Sequence, residues 1–370
     1  MEEMGSAVEM EGEECDVGLS DLPVNVHEHI FAKLPLHSIL SSHSVCREWG
    51  GILNSHSFLS SLPVPLCNPW LLLWGEGFCM AYCFGMQKWI TLSLSFLGDH
   101  HYDYDSPISV STSAGRLFVQ CSSQIYACNP LRRSYNLMQL GDLYSKEIEL
   151  IGIVQEGPNG EPYLAVKTTY CIEIYHYFQD SWQLKFKLQQ YTTDGRLDIL
   201  HDEMVECNGV LFWSKCSADV VGFRIQDDSF SEVRIDEFPF LNLVEGKGYR
   251  PFIVAYGSSV LSVILVIRDK NMVISELFQD EEDEMLWKWR LLATTPADPV
   301  LDYYGITYER GWIDDPFTCA CVGEYLCFDA WTDPPKIAAY NFRQGIWQFL
   351  PHLPDTNFVR MMTFQPSLIA

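Results

Sequence analysis

Chemistry needs titratable or ligating side chains spaced so that they converge, and few groupings in this chain meet that condition. His27-Glu28-His29 has the composition of a metal half-site, but residues one and two apart diverge around a helix, so solvated histidines are expected. The stretch Asp99-His100-His101-Tyr102-Asp103-Tyr104-Asp105 has the oxygen and imidazole donors of a cation site, yet reads as a solvated polar loop between strands. The acidic run Asp280 to Glu284 reads as a solvated hairpin tip. None of the 13 cysteines has the Cys-x-x-Cys spacing of a zinc knuckle or redox centre, and Cys79, Cys83, Cys121 and Cys171 sit in apolar runs, where they read as buried thiols of a reducing compartment. Phosphate loops, nucleophile elbows, His-Glu-x-x-His and dinucleotide fingerprints do not occur. The 49 acids are scattered, so spacing alone sorts none of them into a general acid and a base. The expectation is a binding protein without metal or cofactor, with an enzyme carrying an accessory helical module as the rival.

Composition limits the partners. The chain has 370 residues, 48% hydrophobic and 20% charged, enough for a packed core and long enough for a small module plus one large architecture. A formal charge of -25 opposes attraction to nucleic-acid phosphates or anionic lipid, and no apolar run approaches the length of a spanning helix. The first sixteen residues carry seven acids and no Lys or Arg, the opposite of a secretory n-region. Residues 1–18 therefore read as an acidic disordered tail, and the expected location is cytoplasmic, nuclear or both.

After the tail, Val26, Ile30, Phe31 and Leu34 recur at helical spacing between Pro23 and Pro35. A second apolar series holds Leu36, Ile39, Leu40, Val45, Cys46, Trp49, Ile52 and Leu53, with Gly50-Gly51 expected to end its helix early. Some forty residues cannot bury all of this alone, so the surplus implies a partner surface. The pairs Leu22-Pro23 and Leu34-Pro35, with Ile30-Phe31, Ile39-Leu40, the cluster Val45-Cys46-Arg47-Glu48-Trp49 and Phe58, closely resemble the F-box over residues 19–60. The resemblance implies an interface with a Skp-type adaptor, and through it a cullin, formed by Leu22, Pro23, Val26, Ile30, Phe31, Leu34, Pro35, Ile39, Leu40, Val45, Cys46 and Trp49.

Residues 61–68 read as a linker. From residue 69 to 370 the pattern is short apolar runs between Gly, Asn, Asp and Pro, which predicts a mainly β region. An aromatic anchor recurs at Trp89, Tyr135, Trp182, Phe230, Trp289 and Trp347, at intervals of 46, 47, 48, 59 and 58 residues. A turn glycine keeps phase with it at Gly115, Gly160, Gly209, Gly257 and Gly323. A period near fifty is that of kelch-like blades, so the prediction is a six-bladed kelch-like β-propeller preceded by a small all-α F-box module. With Cys128-Asn-Pro-Leu-Arg-Arg-Ser-Tyr135 and Tyr340-Asn-Phe-Arg-Gln-Gly-Ile-Trp347, both parts resemble plant-type F-box/kelch-repeat proteins. The kelch double glycine is absent, which leaves a generic F-box-associated β domain as the alternative. The first unit lacks an innermost strand, and Phe358–Phe364 is expected to supply it and close the ring.

Rigid scaffolds carry function on their longer loops, here 189–203, 238–251 and 294–317. They are expected to crowd one face, where Arg196, Arg250, Tyr304, Arg310 and Trp312 form the expected target surface for a protein with an acidic or phosphorylated segment. With the resemblance, the whole reads as the substrate-recognition subunit of a Skp, cullin and F-box ubiquitin ligase, non-catalytic in itself; a scaffold acting outside a ligase is the second rival.

Overall fold

The computed structural model describes residues 22–63, 67–75, 78–97, 110–113, 115–121, 124–139, 148–155, 162–168, 171–176, 181–187, 204–214, 220–226, 229–235, 251–257, 259–266, 269–306, 317–330, 332, 334–353 and 358–368. The chain divides into two compact units between Cys67 and Asn68.

The first unit holds four short helices: α1 (Val24–Phe31), α2 (Leu36–Ser42), α3 (Arg47–Leu53) and α4 (His56–Ser61). Pro23 and Pro35 sit at the N-caps of α1 and α2, where a missing N–H costs nothing. Cys46 caps α3 by accepting from the Trp49 N–H, and the Ser55 hydroxyl caps α4 by accepting from Phe58. Contrary to expectation α3 runs through Gly50-Gly51 to Leu53: Gly50 is buried, and a Cβ there would lie 3.3 Å from the His43 carbonyl oxygen. Close packing outweighs the lower helix propensity of glycine.

The second unit is almost entirely antiparallel β. The first meander is β1 (Trp70–Gly75), β2 (Phe78–Cys83) and β3 (Lys88–Leu92). It is followed by β4 (Val110–Ser113), β5 (Arg116–Cys121), β6 (Gln124–Asn129) and β7 (Ser134–Gln139), then by β8 (Ile148–Gln155), β9 (Pro162–Thr168), β10 (Cys171–His176) and β11 (Ser181–Lys187). Next come β12 (Val205–Cys207), β13 (Val210–Ser214), β14 (Val220–Gln226) and β15 (Ser229–Ile235), and β16 (Phe252–Tyr256), β17 (Ser259–Val266), β18 (Asn271–Gln279) and β19 (Leu286–Pro296). Helix α5 (Asp298–Tyr304) leads to β20 (Thr318–Val322), β21 (Tyr325–Asp329), β22 (Ile337–Asn341) and β23 (Ile346–Phe349), and the last strand is β24 (Phe358–Phe364). Strand β24 pairs antiparallel with β1, giving the order β24-β1-β2-β3. Strands β12 to β19 share one eight-stranded sheet, because β15 and β19 meet in parallel at Arg234–Leu286 and Ile235–Trp287. Its end strands, β12 and β16, are neighbours, so the sheet nearly closes on itself. Among the described residues, β4, β8, β12, β16, β20 and β24 neighbour one another in that order, and β24 returns to β4.

The turns explain the glycine phase at four of its five positions, and Gly160 lies outside the described residues. Gly115, Gly209, Gly257 and Gly323 all have positive φ between the first and second strands of their meanders. At Asn208-Gly209 both residues do, as a type I′ hairpin requires. The anchors fall at the second residue of β3, β7, β11, β15 and β23; in β19 that place is taken by Trp287, two residues before the Trp289 that spacing selects. Trp89 Nε1 donates to the Pro351 carbonyl (3.0 Å) and Trp347 Nε1 to that of Pro296 (3.3 Å), so both indoles fasten one meander to the chain leaving the previous one.

The run Asp280 to Glu284 forms the tip of the β18–β19 hairpin, as expected, with Glu281, Glu282 and Glu284 exposed, and it is also fastened to its surroundings: Asp283 pairs with Arg234, Asp280 with Lys288, and the Glu284 carbonyl accepts from Arg224 and Gln279. One expectation is corrected. The segment 294–317 begins as strand and helix: Pro lies in the first turn of α5, Gly305 at its C-cap has φ 68°, and Val300, Leu301 and Tyr304 are buried between the last two meanders before β24.

Candidate functional site

The helical unit sorts its apolar residues into an inside and an outside. Phe31 meets Trp49 edge-on with ring centroids 5.1 Å apart and Phe58 at 6.4 Å, while Leu36, Ile39, Ile52, Leu53 and Leu62 complete the interior. Phe31 and Ile39, expected at the partner surface, are each 2% exposed. His27 is buried too, not solvated, because it lies one turn before Phe31 and stacks along it, with centroids 6.0 Å apart. Glu28 ties α1 to α4 by accepting from Ser55 (3.1 Å) and Ser57 (2.5 Å).

Outside this core, Val24, Val26, Ile30 and Val45 are 54%, 36%, 40% and 63% exposed. Pro23, Pro35 and Cys46 are exposed, and Leu22, Leu34, Leu40 and Trp49 are half-buried. Pro23, Val26 and Ile30 are three and four residues apart and therefore share one helix face. Four of the ten large exposed apolar side chains described belong to this one small unit, and water is a poor solvent for each. Residues 19–61 match the family model of the F-box domain. A search of curated proteins finds no match to the chain. The F-box domain is a Skp-adaptor-binding module, and F-box proteins are typically non-catalytic substrate adaptors of SCF-type ubiquitin ligases.

The expected target face is a different matter. Arg196, Arg250, Arg310 and Trp312 lie outside the described residues, as does the stretch Asp99 to Asp105. Tyr304 is 9% exposed, and its hydroxyl donates to the carbonyls of Phe328 (2.6 Å) and Lys336 (3.1 Å) while accepting the Ala338 N–H (3.0 Å). Burial raises its pKa above the usual phenol range, and its role is to fasten α5 to the β20–β23 meander. Sequence reasoning missed α5, although Pro299 inside its first turn and Gly305 past its end were the signal.

On the β16–β17 turn side, a cavity of about 690 Å³ is lined by Tyr256, Glu276, Cys321, Glu324, Arg343 and Thr363 among others. Its charges serve one another: Arg343 pairs with Glu324 at 3.0 Å and Glu276 with Arg290. Burial pushes the thiols of Cys207 and Cys321 up to about 12, and those of Cys79 and Cys327 upward as well, so these four are protonated and unreactive near neutrality. Cys83 is only half-buried, and the side chains of Cys121 and Cys171 lie outside those described. No helix among the described residues is long and apolar enough to cross a membrane.

Proposed function

We propose that this chain is the target-binding subunit of an SCF-type ubiquitin ligase, acting in the cytoplasm, the nucleus or both. The F-box would engage a Skp-type adaptor, and through it a cullin, by Pro23, Val26, Ile30, Pro35, Val45 and Cys46, with Leu22, Leu34, Leu40 and Trp49 closing the rim. Phe31 and Ile39 would shape that surface from beneath. The carrying observation is the row of exposed apolar side chains on a unit that already has a core of its own. Covering a Val or Ile side chain is worth roughly 2 kcal/mol, so a partner that covers several gains an affinity in the useful range.

The second unit is proposed to be a six-bladed kelch-like propeller of plant type, each blade a four-stranded meander, with β24 as the inner strand of the first blade. The circular order of β4, β8, β12, β16, β20 and β24 supports this reading. A protein target would be held on this scaffold and presented to an E2 enzyme carried by another subunit, so that the rate gain comes from proximity. Arg196, Arg250, Arg310 and Trp312 remain the proposed target face.

The test is capture of the adaptor and cullin by the full chain and by the double variant Val26→Asp, Ile30→Asp. Both side chains already face solvent, so the variant is expected to fold. Loss of capture by a factor of about one hundred or more is expected. Undiminished capture by the folded variant overturns the assignment.

A further inference from the structure

A row of side chains that must meet a partner needs its helix held at a fixed angle, and α1 has few means of its own to hold one. Its eight residues are too few to be helical in isolation, Pro23 at its N-cap makes no side-chain capping bond, and its first turn carries no acid. Phe31 packs against Trp49 and Phe58, but apolar burial is non-directional and lets a helix roll about its axis. Successive residues advance by about 100° around a helix, so Glu28, two residues from both Val26 and Ile30, projects from the other side of α1. A roll of about 20° carries a side chain about 5 Å from the axis through about 2 Å, enough to take Val26 and Ile30 out of register with a partner.

Glu28 supplies the missing constraint. Its Oε1 accepts from the hydroxyls of Ser55 (3.1 Å) and Ser57 (2.5 Å), on the far end of the helical unit's chain. Ser55 is itself fixed as the N-cap of α4: its oxygen accepts the Phe58 N–H (3.1 Å), which leaves its one proton for the carboxylate. Phe58 is 0% exposed, so the anchor is seated in the core. Hydrogen bonds to a carboxylate are directional as well as strong, and two that converge on one oxygen fix the roll that ring packing leaves free.

We propose that Glu28 is a positioning residue of the adaptor interface. Acting through Ser55 and Ser57, it sets the direction in which Val26 and Ile30 leave α1, and so has the surface pre-organised before the partner arrives. Its work is done by an acceptor oxygen facing α4, not by a charge facing the adaptor. The inference rests on the F-box reading for what the partner is, and its test separates the two.

The experiment measures the affinity of the full chain for a purified Skp-type adaptor, at a temperature well below the melting transition of every variant. Glu28→Ala should weaken binding about fivefold to tenfold. Glu28→Gln keeps an acceptor oxygen for both hydroxyls and should stay within about twofold of the parent. Ser57→Ala breaks the latch from the α4 side and should weaken binding about twofold to threefold, yet add nothing further when combined with Glu28→Ala, as coupled residues do. In the free chain, amide hydrogen exchange over residues 22–34 should be faster in Glu28→Ala than in the parent, with residues 47–62 unchanged. Parent-like affinity of folded Glu28→Ala, even with a lowered melting temperature, overturns the proposal by making the bonds purely structural. Equal losses in Glu28→Gln and Glu28→Ala overturn it by assigning the effect to charge, and additive losses with Ser57→Ala overturn it by uncoupling the pair. No binding by the parent chain overturns the F-box reading and this inference with it, whereas binding by the parent with any of the preceding three outcomes overturns this inference alone.

Discussion

At the scale of single residues the repeat is held by one recurring device. Asn129 Oδ1 accepts from the N–H groups of Leu131 and Arg132, at 3.0 and 3.1 Å. Asn341 Oδ1 does the same for Arg343 and Gln344, at 3.1 and 2.9 Å, and Asp280 Oδ1 for Glu282 and Asp283, at 2.8 and 3.2 Å. In each case a side-chain oxygen closes the turn between the third and fourth strands, as asparagine and aspartate do best. This explains why Asn129 and Asn341 are buried and why Asp280 belongs to the fold. The sequence similarity around the two asparagines was legible; the equivalence of Asp280 was masked by its acidic neighbours. Lys288, and then the backbone N–H of Glu282, hold the Asp280 carboxyl below the usual carboxylate range. A depressed folded pKa contributes stability that is present above the unfolded value and lost as pH falls through the folded one. Asp280→Asn keeps the turn and removes the ion pair. The variant is expected to melt slightly lower than the parent near pH 7, and the gap should close as pH falls below about 4. Thermal melts of both proteins from pH 2 to 7 check this; a gap that stays constant across that range excludes the assigned cause.

Elements were legible where burial alternates and illegible where packing decides. Short apolar runs between turn residues announce strands, because every second side chain enters a core. Nothing local announces that β15 will meet β19, since that contact depends on the positions of two hairpins distant in sequence. In α1, spacing identifies an amphipathic helix but does not tell which stripe turns inward. Phe31 goes in because Trp49 and Phe58 receive its ring, and Val26 and Ile30 stay out. The paired glycines of α3 separate propensity from packing. Gly51 is exposed, and a methyl group added there would have no neighbour within 4 Å, whereas the same addition at Gly50 meets the His43 carbonyl oxygen at 3.3 Å. Gly51→Ala should therefore stabilise the helical unit by about 1 kcal/mol, and Gly50→Ala should gain less or destabilise it. Denaturant titration followed by Trp49 fluorescence measures both; equal gains at the two positions contradict the packing argument.

For the whole molecule the decisive joint is the return of the chain to its beginning. Strand β1 is buried along its entire length, and its register with β24 runs from Trp70–Phe364 to Gly75–Phe358 with one irregularity at Trp74/Gly75. Met361, Met362 and Phe364 are buried, Thr363 Oγ1 donates to the Cys321 carbonyl, and Asn129 Nδ2 donates to that of Ser367 at 2.9 Å. The strand and the residues just after it thus bond at once to the first, second and last meanders. This joint was legible because Phe358–Phe364 follows the last anchor with no partner of its own, and a solitary strand must find an edge. Removing residues 354–370 exposes the edge of β1 and takes four large buried side chains, Met361, Met362, Phe364 and Leu368, out of the core, at roughly 2 kcal/mol each. With the lost backbone pairing, that approaches the roughly 5–15 kcal/mol that keeps an ordinary domain folded. The truncated protein is expected to be insoluble or to lose its cooperative melt. A synthetic peptide of residues 354–370, added in excess during refolding, should restore a sharp transition whose midpoint rises with peptide concentration, as for any ligand that binds only the folded state. Thr363→Val, which removes one hydrogen bond and keeps the shape, should cost about 1 kcal/mol and leave the transition cooperative. A truncated chain that melts at the parent temperature without added peptide shows that the ring does not depend on its last strand.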